Sequence, residues 1–124
     1  MSPEPRRALG RIVRNEYTRE LGSRGITGFH FGHCTNATYK GLFDRTAKQL
    51  KTERGLADSS NKLRDKMSTK ELVFIAASEA LSIERMQDEG AAGYEACKLA
   101  TFKASRAIKS AIDADRLDRQ KRMD

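Results

Sequence analysis

His30, His33 and Cys34 are the closest grouping of metal-ligating and nucleophilic side chains in the chain, and Cys97 is the other thiol. Imidazole and thiolate are the donors zinc prefers, and Cys97 would be a fourth ligand brought from the distant second half. The spacing speaks against that site, because standard fingers need two paired ligand clusters at defined separations. A Cys beside a His is also the minimum for a thiol nucleophile, but no orienting carboxylate, oxyanion nest or cofactor loop accompanies it. The expectation is no metal, no cofactor and no enzymatic activity. Two distant cysteines without an apolar leader predict free thiols in a reducing bacterial cytoplasm, with a nucleoid association as one location. No segment approaches the roughly 20 uninterrupted apolar residues of a membrane span.

The basic side chains suggest a different chemistry. Lys and Arg number 24 against 17 Asp and Glu, a net charge of +7. Residues 1–66 hold 14 basic and 7 acidic groups, whereas residues 67–124 hold 10 of each, so the whole excess lies in the first half. Guanidinium is planar and gives two hydrogen bonds to one phosphate, which suits a nucleic-acid backbone. Arg6, Arg7, Arg11 and Arg14, on one face of a first helix, with Arg24, Lys40, Lys48 and Lys51, are the expected phosphate contacts; an ordinary solvated face has the same pattern. Phe29 and Phe31, beside Arg24, His30 and His33, either stack on bases or fold back onto the core.

The elements that must carry these groups are helical. Prolines occur only at positions 3 and 5, aromatic residues make up 6%, and the second half is rich in Ala, Lys, Arg, Glu and Leu. The expected fold is all-α: one domain over 1–124 with a basic part (1–66), a neutral helical hairpin (67–118) and a frayed tail (119–124). Leu9, Ile12, Val13, Tyr17 and Leu21 predict a helix over 3–21. Glycines at 22, 25, 28 and 32 predict a loop or short β-ribbon over 22–34. A short helix follows over 36–43, then another capped by Thr46 that exposes Lys48, Lys51 and Arg54 and buries Leu50, a helix-turn-helix in outline. Asp58 to Asn61 cap a brief helix holding Leu63.

Ser68 and Glu71 form a capping box, so a long helix starts there and carries the stripe Leu72, Ile75, Ala76, Ala80, Ile83 and Met86. Glu79 lies within that stripe; it reads as a helix-surface carboxylate, and if buried it would need Arg64 or Lys66 as partner. Gly90 and Gly93 precede a last helix to about residue 121. Its residues Tyr94, Cys97, Thr101, Ala104, Ile108 and Ala111 step by three and four, a seam of small residues. That seam packs either on the preceding helix or on its copy in a homodimer; past Ile112 the charged sequence is expected to fray.

From residue 36 to 86 a succession of motifs resembles a known family. Asn36 with Tyr39 and Lys40, Thr46-Ala47, Gly55-Leu56, Leu63-Arg64-Asp65, Met67-Ser68, Glu71-Leu72 and Glu79-Ala80 follow, in order and spacing, the C-terminal region of BRO-type phage antirepressors and of bacterial DNA-damage-inducible protein D. The resemblance implies a phage or prophage regulatory protein acting through DNA or through a repressor or recombinase. The family's N-terminal DNA-binding domain is expected to be missing, and no catalytic residues are carried over. Two functions follow as expectations: nucleic-acid binding through the basic half, or inhibition of a host repressor, recombinase or defence nuclease, whose acidic groove the basic face would meet.

Overall fold

A computed structural model describes the backbone of residues 3–123 and the side chains of residues 8–122. Five α-helices follow in order: α1 (Pro3–Ser23), α2 (His30–Phe43), α3 (Ala47–Glu53), α4 (Thr69–Glu89) and α5 (Gly93–Met123), with one 3-10 turn at Arg64–Lys66. No strand occurs among the described residues. Cross-helix contacts fix the directions. Arg14 meets Glu79 and Glu20 meets Gln87, so α1 and α4 run parallel. His33 meets Tyr94 and Asp44 meets Arg106, so α2 and α5 are also parallel, opposed to the first pair. The result is an up-down-up-down bundle in which α3 and the 3-10 turn fill the long α2–α4 connection.

Local signals set several boundaries. Ser68 Oγ accepts from the Glu71 amide while the Glu71 carboxylate accepts from the Ser68 amide, and Thr46 with Gln49 repeats that arrangement at α3. Gly90, at φ 63°, closes α4 in the left-handed region.

Two apolar clusters form the core. Tyr17, Leu21, Ile26, Cys34, Met86 and Cys97 pack at one end. Tyr39, Leu42, Leu50, Leu63, Met67 and Ile75 pack at the other, which is where α3 docks. Ser78, Ser82 and Ser105 are fully buried and each hydroxyl donates to the carbonyl four residues earlier, so these small residues let α4 and α5 approach without leaving an orphaned donor.

The structure corrects several expectations. The glycine-rich stretch is helical at both ends: α1 continues to Ser23, α2 starts at His30 rather than at 36, and only 24–29 is turn or coil, with no β-ribbon. Gly22 and Gly32 sit on helices in ordinary backbone conformation, while Gly25 and Gly28 supply the positive φ of the turn. The segment around Leu63 is a single 3-10 turn. The tail expected to fray continues α5 to Met123, where Asp115–Arg119 and Asp118–Arg122 pair one helical turn apart.

Of the two packings open to the seam Tyr94, Cys97, Thr101, Ala104, Ile108 and Ala111, its middle takes the one within the chain. Cys97, Thr101 and Ala104 are fully buried within the chain, Thr101 bonds Tyr17, and Ile108 packs against the Leu42–Ile75 cluster; Ala111 lies beyond the bundle and is exposed.

Candidate functional site

Arg6 and Arg7 lie outside the described side chains. The other six expected phosphate contacts do not share one surface. Arg14 donates from Nη1 to Glu79 Oε2 at 2.9 Å and from Nη2 to Thr35 Oγ1 at 2.6 Å. Arg24 is held at the opposite end of α1, donating to Glu20 Oε2 and to the Ala91 carbonyl, both at 2.8 Å. On α3, Lys51 donates to the Asp58 carbonyl at 3.0 Å, and Lys48 lies 3.7 Å from the Asp58 carboxylate, an exposed contact of little energetic weight. Lys40 is exposed and forms no ion pair among the described residues; Arg11 is exposed on α1. Arg14 and Arg24 are thus framework residues and not displayed cations.

Glu79 is not the helix-surface carboxylate its sequence suggests but is buried, and Arg64, one of the two partners named for that case, is on it, together with Arg14, which the sequence did not point to. The Glu79 side chain is 1% exposed, and one oxygen, Oε2, receives both Arg14 and Arg64, the latter at 3.5 Å. Arg64 also donates from Nε to the Tyr39 hydroxyl at 3.3 Å. Burial opposes the charge on Arg64, but Tyr39 and Glu79 outweigh it and hold its pKa above the ordinary arginine value. The second oxygen, Oε1, has no hydrogen-bond partner among the described residues. Arg11, Arg14, Arg64, Asp65 and Glu79 line a cavity of about 250 Å³ between α1, the 3-10 turn and α4.

Several residues that carry the family resemblance have structural partners here. Asn36 Oδ1 accepts from the Ala47 amide, tying α2 to the start of α3. Tyr39, Arg64 and Glu79 form the network just described, and Glu71 joins its capping box to Arg54 at 2.7 Å. These positions hold the bundle's connections in place.

The four residues whose types would suit zinc separate. Cys34 and Cys97 are buried free thiols facing the core, whereas His30 and His33 lie toward the surface, and no group of three or more His, Cys, Asp or Glu positioned for a metal occurs among the described residues. Burial pushes the Cys34 thiol up to about 11 and raises Cys97 as well, the reverse of what a nucleophile needs. The two histidines instead meet Tyr94: His30 stacks on its ring at 4.0 Å, and His33 Nδ1 lies 2.7 Å from its hydroxyl. Lys98 donates to the same hydroxyl at 3.3 Å, a bond that raises the lysine pKa. Phe31 folds back onto the core, while Phe29 stays 74% exposed.

Beyond this cluster, α2 and α5 enclose a groove of about 790 Å³. On α2 its wall is His33, Asn36, Ala37 and Lys40; on α5 it is Glu95, Lys98, Leu99 and Phe102, with Tyr94 and Ala96. Each set of four follows the spacing i, i+3, i+4, i+7, so each helix presents one face two turns long. The floor is apolar and the rim polar. The heptad seam lies on the buried face of α5 and this groove on the neighbouring one; the regular spacing on both helices is the signal of it in the sequence.

No protein-family model matches the chain, and comparison with curated proteins gives no match. No helix among the described residues is long and apolar enough to cross a membrane.

Proposed function

We propose that the chain is a small regulatory protein of the phage antirepressor kind its sequence resembles, and that it acts in the bacterial cytoplasm by binding a host protein. The observation that carries this reading is the open α2/α5 groove, apolar at its floor and walled by two parallel helix faces. The state of these arginines supports it: Arg14, Arg24, Arg45, Arg54 and Arg64 each reach a carboxylate within the chain and are to that extent engaged rather than displayed to a phosphate. Affinity purification from nuclease-treated lysate tests the reading. One stoichiometric protein partner is the expected result; recovery of nucleic acid alone, before nuclease treatment, contradicts it.

A second reading, nucleic-acid binding through the basic half, is favoured by one observation. Arg14 and Arg64 share a single carboxylate, and among the described residues the cavity there is lined by three cations, Arg11, Arg14 and Arg64, against two carboxylates, Asp65 and Glu79. Duplex affinity that falls by about 0.9 log unit per log of salt for each phosphate contacted is its signature.

A further inference from the structure

The groove has dimensions and chemistry that narrow the partner, and the following inference rests on the protein-binding reading above. Seven residues of helix rise separate His33 from Lys40 and Glu95 from Phe102, about 10.5 Å on each wall. That is the span covered by the i, i+4 and i+7 anchors of one helix lying in a groove. The walls converge at Gly41, where the absence of a Cβ lets Ser105 and the α5 backbone approach α2, and carry Ala37 and Ala96 in the lining, small side chains that admit a close-packed third helix. Leu99, 51% exposed, and the half-buried Phe102 are the apolar anchors left for it to cover.

Charge chooses the kind of helix. Lys40 and Lys98 stand on opposite walls, and Arg106 lies over the Phe102 ring at 4.9 Å at the end nearest the crossing. Arg106 is paired with Asp44 at 2.9 Å and adds no net charge, while Glu95, 81% exposed and 3.7 Å from Lys98, is the carboxylate of the lining, so the rim keeps a net excess of one positive charge, carried by Lys40. A rim with this excess attracts acidic flanks and rejects basic ones. We infer that the α2/α5 groove receives an amphipathic α-helix of the partner protein, whose apolar face covers Leu99 and Phe102 and whose acidic residues lie against Lys40 and Lys98.

The test uses two synthetic helical peptides with the same leucines at i, i+4 and i+7, one flanked by Glu and one by Lys. Fluorescence anisotropy with the full chain is expected to give a Kd of about 1–100 µM for the Glu peptide and at least about tenfold weaker binding for the Lys peptide. Leu99→Glu, at an exposed helical position, is expected to lower affinity at least about tenfold while circular dichroism stays unchanged. Lys40→Glu with Lys98→Glu is expected to reverse the order of the two peptides. Equal binding of both peptides, no binding of either, or binding indifferent to Leu99→Glu overturns the inference. Should Leu99→Glu keep a cellular partner that wild type also captures, this site falls while the protein-binding reading stands.

Discussion

Gly41 and Ser105 meet where α2 crosses α5: a Cβ at position 41 would lie 2.5 Å from Ser105 Cβ and 3.1 Å from the Phe102 carbonyl oxygen. The obstruction includes backbone, so a larger residue must separate the helices and change the groove between them. Gly32, on the same helix, has nothing within 4 Å of its would-be Cβ. The two glycines therefore predict opposite signs. Gly41→Ala is expected to lose about 1–2 kcal/mol net of its gain in helix propensity, and Gly32→Ala to gain about 0.5–1 kcal/mol. Thermal melts of both variants check this.

Glu79 predicts a coupled pair of effects. Arg14→Met leaves a carboxylate 1% exposed with only the longer contact to Arg64, at an expected cost of about 3 kcal/mol. In a Glu79→Gln background no buried charge is stranded, so the same Arg14→Met change is expected to cost about 1 kcal/mol or less. Urea unfolding of the four proteins in the cycle measures the difference, and additive effects would mean the pair is not coupled.

The Glu71 cap sets an acid limit. Burial would raise the Glu71 pKa, but the hydrogen bond from Arg54, the Ser68 amide and the Arg54 charge together hold it below the ordinary value. A carboxyl depressed in the folded state contributes stability that is present above the unfolded value of about 4.3 and is lost as pH falls through the folded value. Glu71→Gln is expected to cost about 1–2 kcal/mol at neutral pH and to show a shallower loss of stability below about pH 4.3. Denaturant titrations across that range are the check.

Cys34 sets a limit on the alkaline side. Its thiol is pushed by burial up to about 11, against about 8.5 unfolded, so the folded state holds the proton more tightly. The resulting stability is complete below about pH 8.5 and declines as pH rises toward about 11. Cys34→Ala is expected to shrink that decline, with the raised Tyr17 and Cys97 supplying what remains. Native protein at neutral pH is expected to react slowly with a thiol reagent and quickly once denatured.

What the sequence made legible was local. The Ser68–Glu71 box and the Thr46 cap depend on residues three apart, and both are found in the structure; of the expected α4 stripe only Ile75 and Met86 are buried, Ala80 is exposed, and Ser78, Glu79 and Ser82 hold the middle of the buried face. The misses were of another kind. Glu79 is partnered by Arg14, 65 residues away, a relation that no short-range pattern contains. A three-four seam reads the same whether its partner is α4, α2 or a second chain, and only tertiary packing assigns it. The glycines at 22 and 32 weaken helix propensity, but burial of Leu21 and Cys34 beside them outweighs that weak preference. The charged end of α5 was legible in principle, since Asp115–Arg119 and Asp118–Arg122 have the spacing that supports a helix.

On the proposed function, the molecule meets its target through an apolar groove and spends most of its arginines on its own carboxylates. Anisotropy of a labelled short duplex with the full chain, at about 150 mM salt and again at lower salt, tests it most directly. No saturable binding at the higher salt and only weak binding at the lower one is the expected result. Sub-micromolar duplex affinity at about 150 mM salt, lost on Lys40→Glu with Lys48→Glu while the fold is kept, would contradict it.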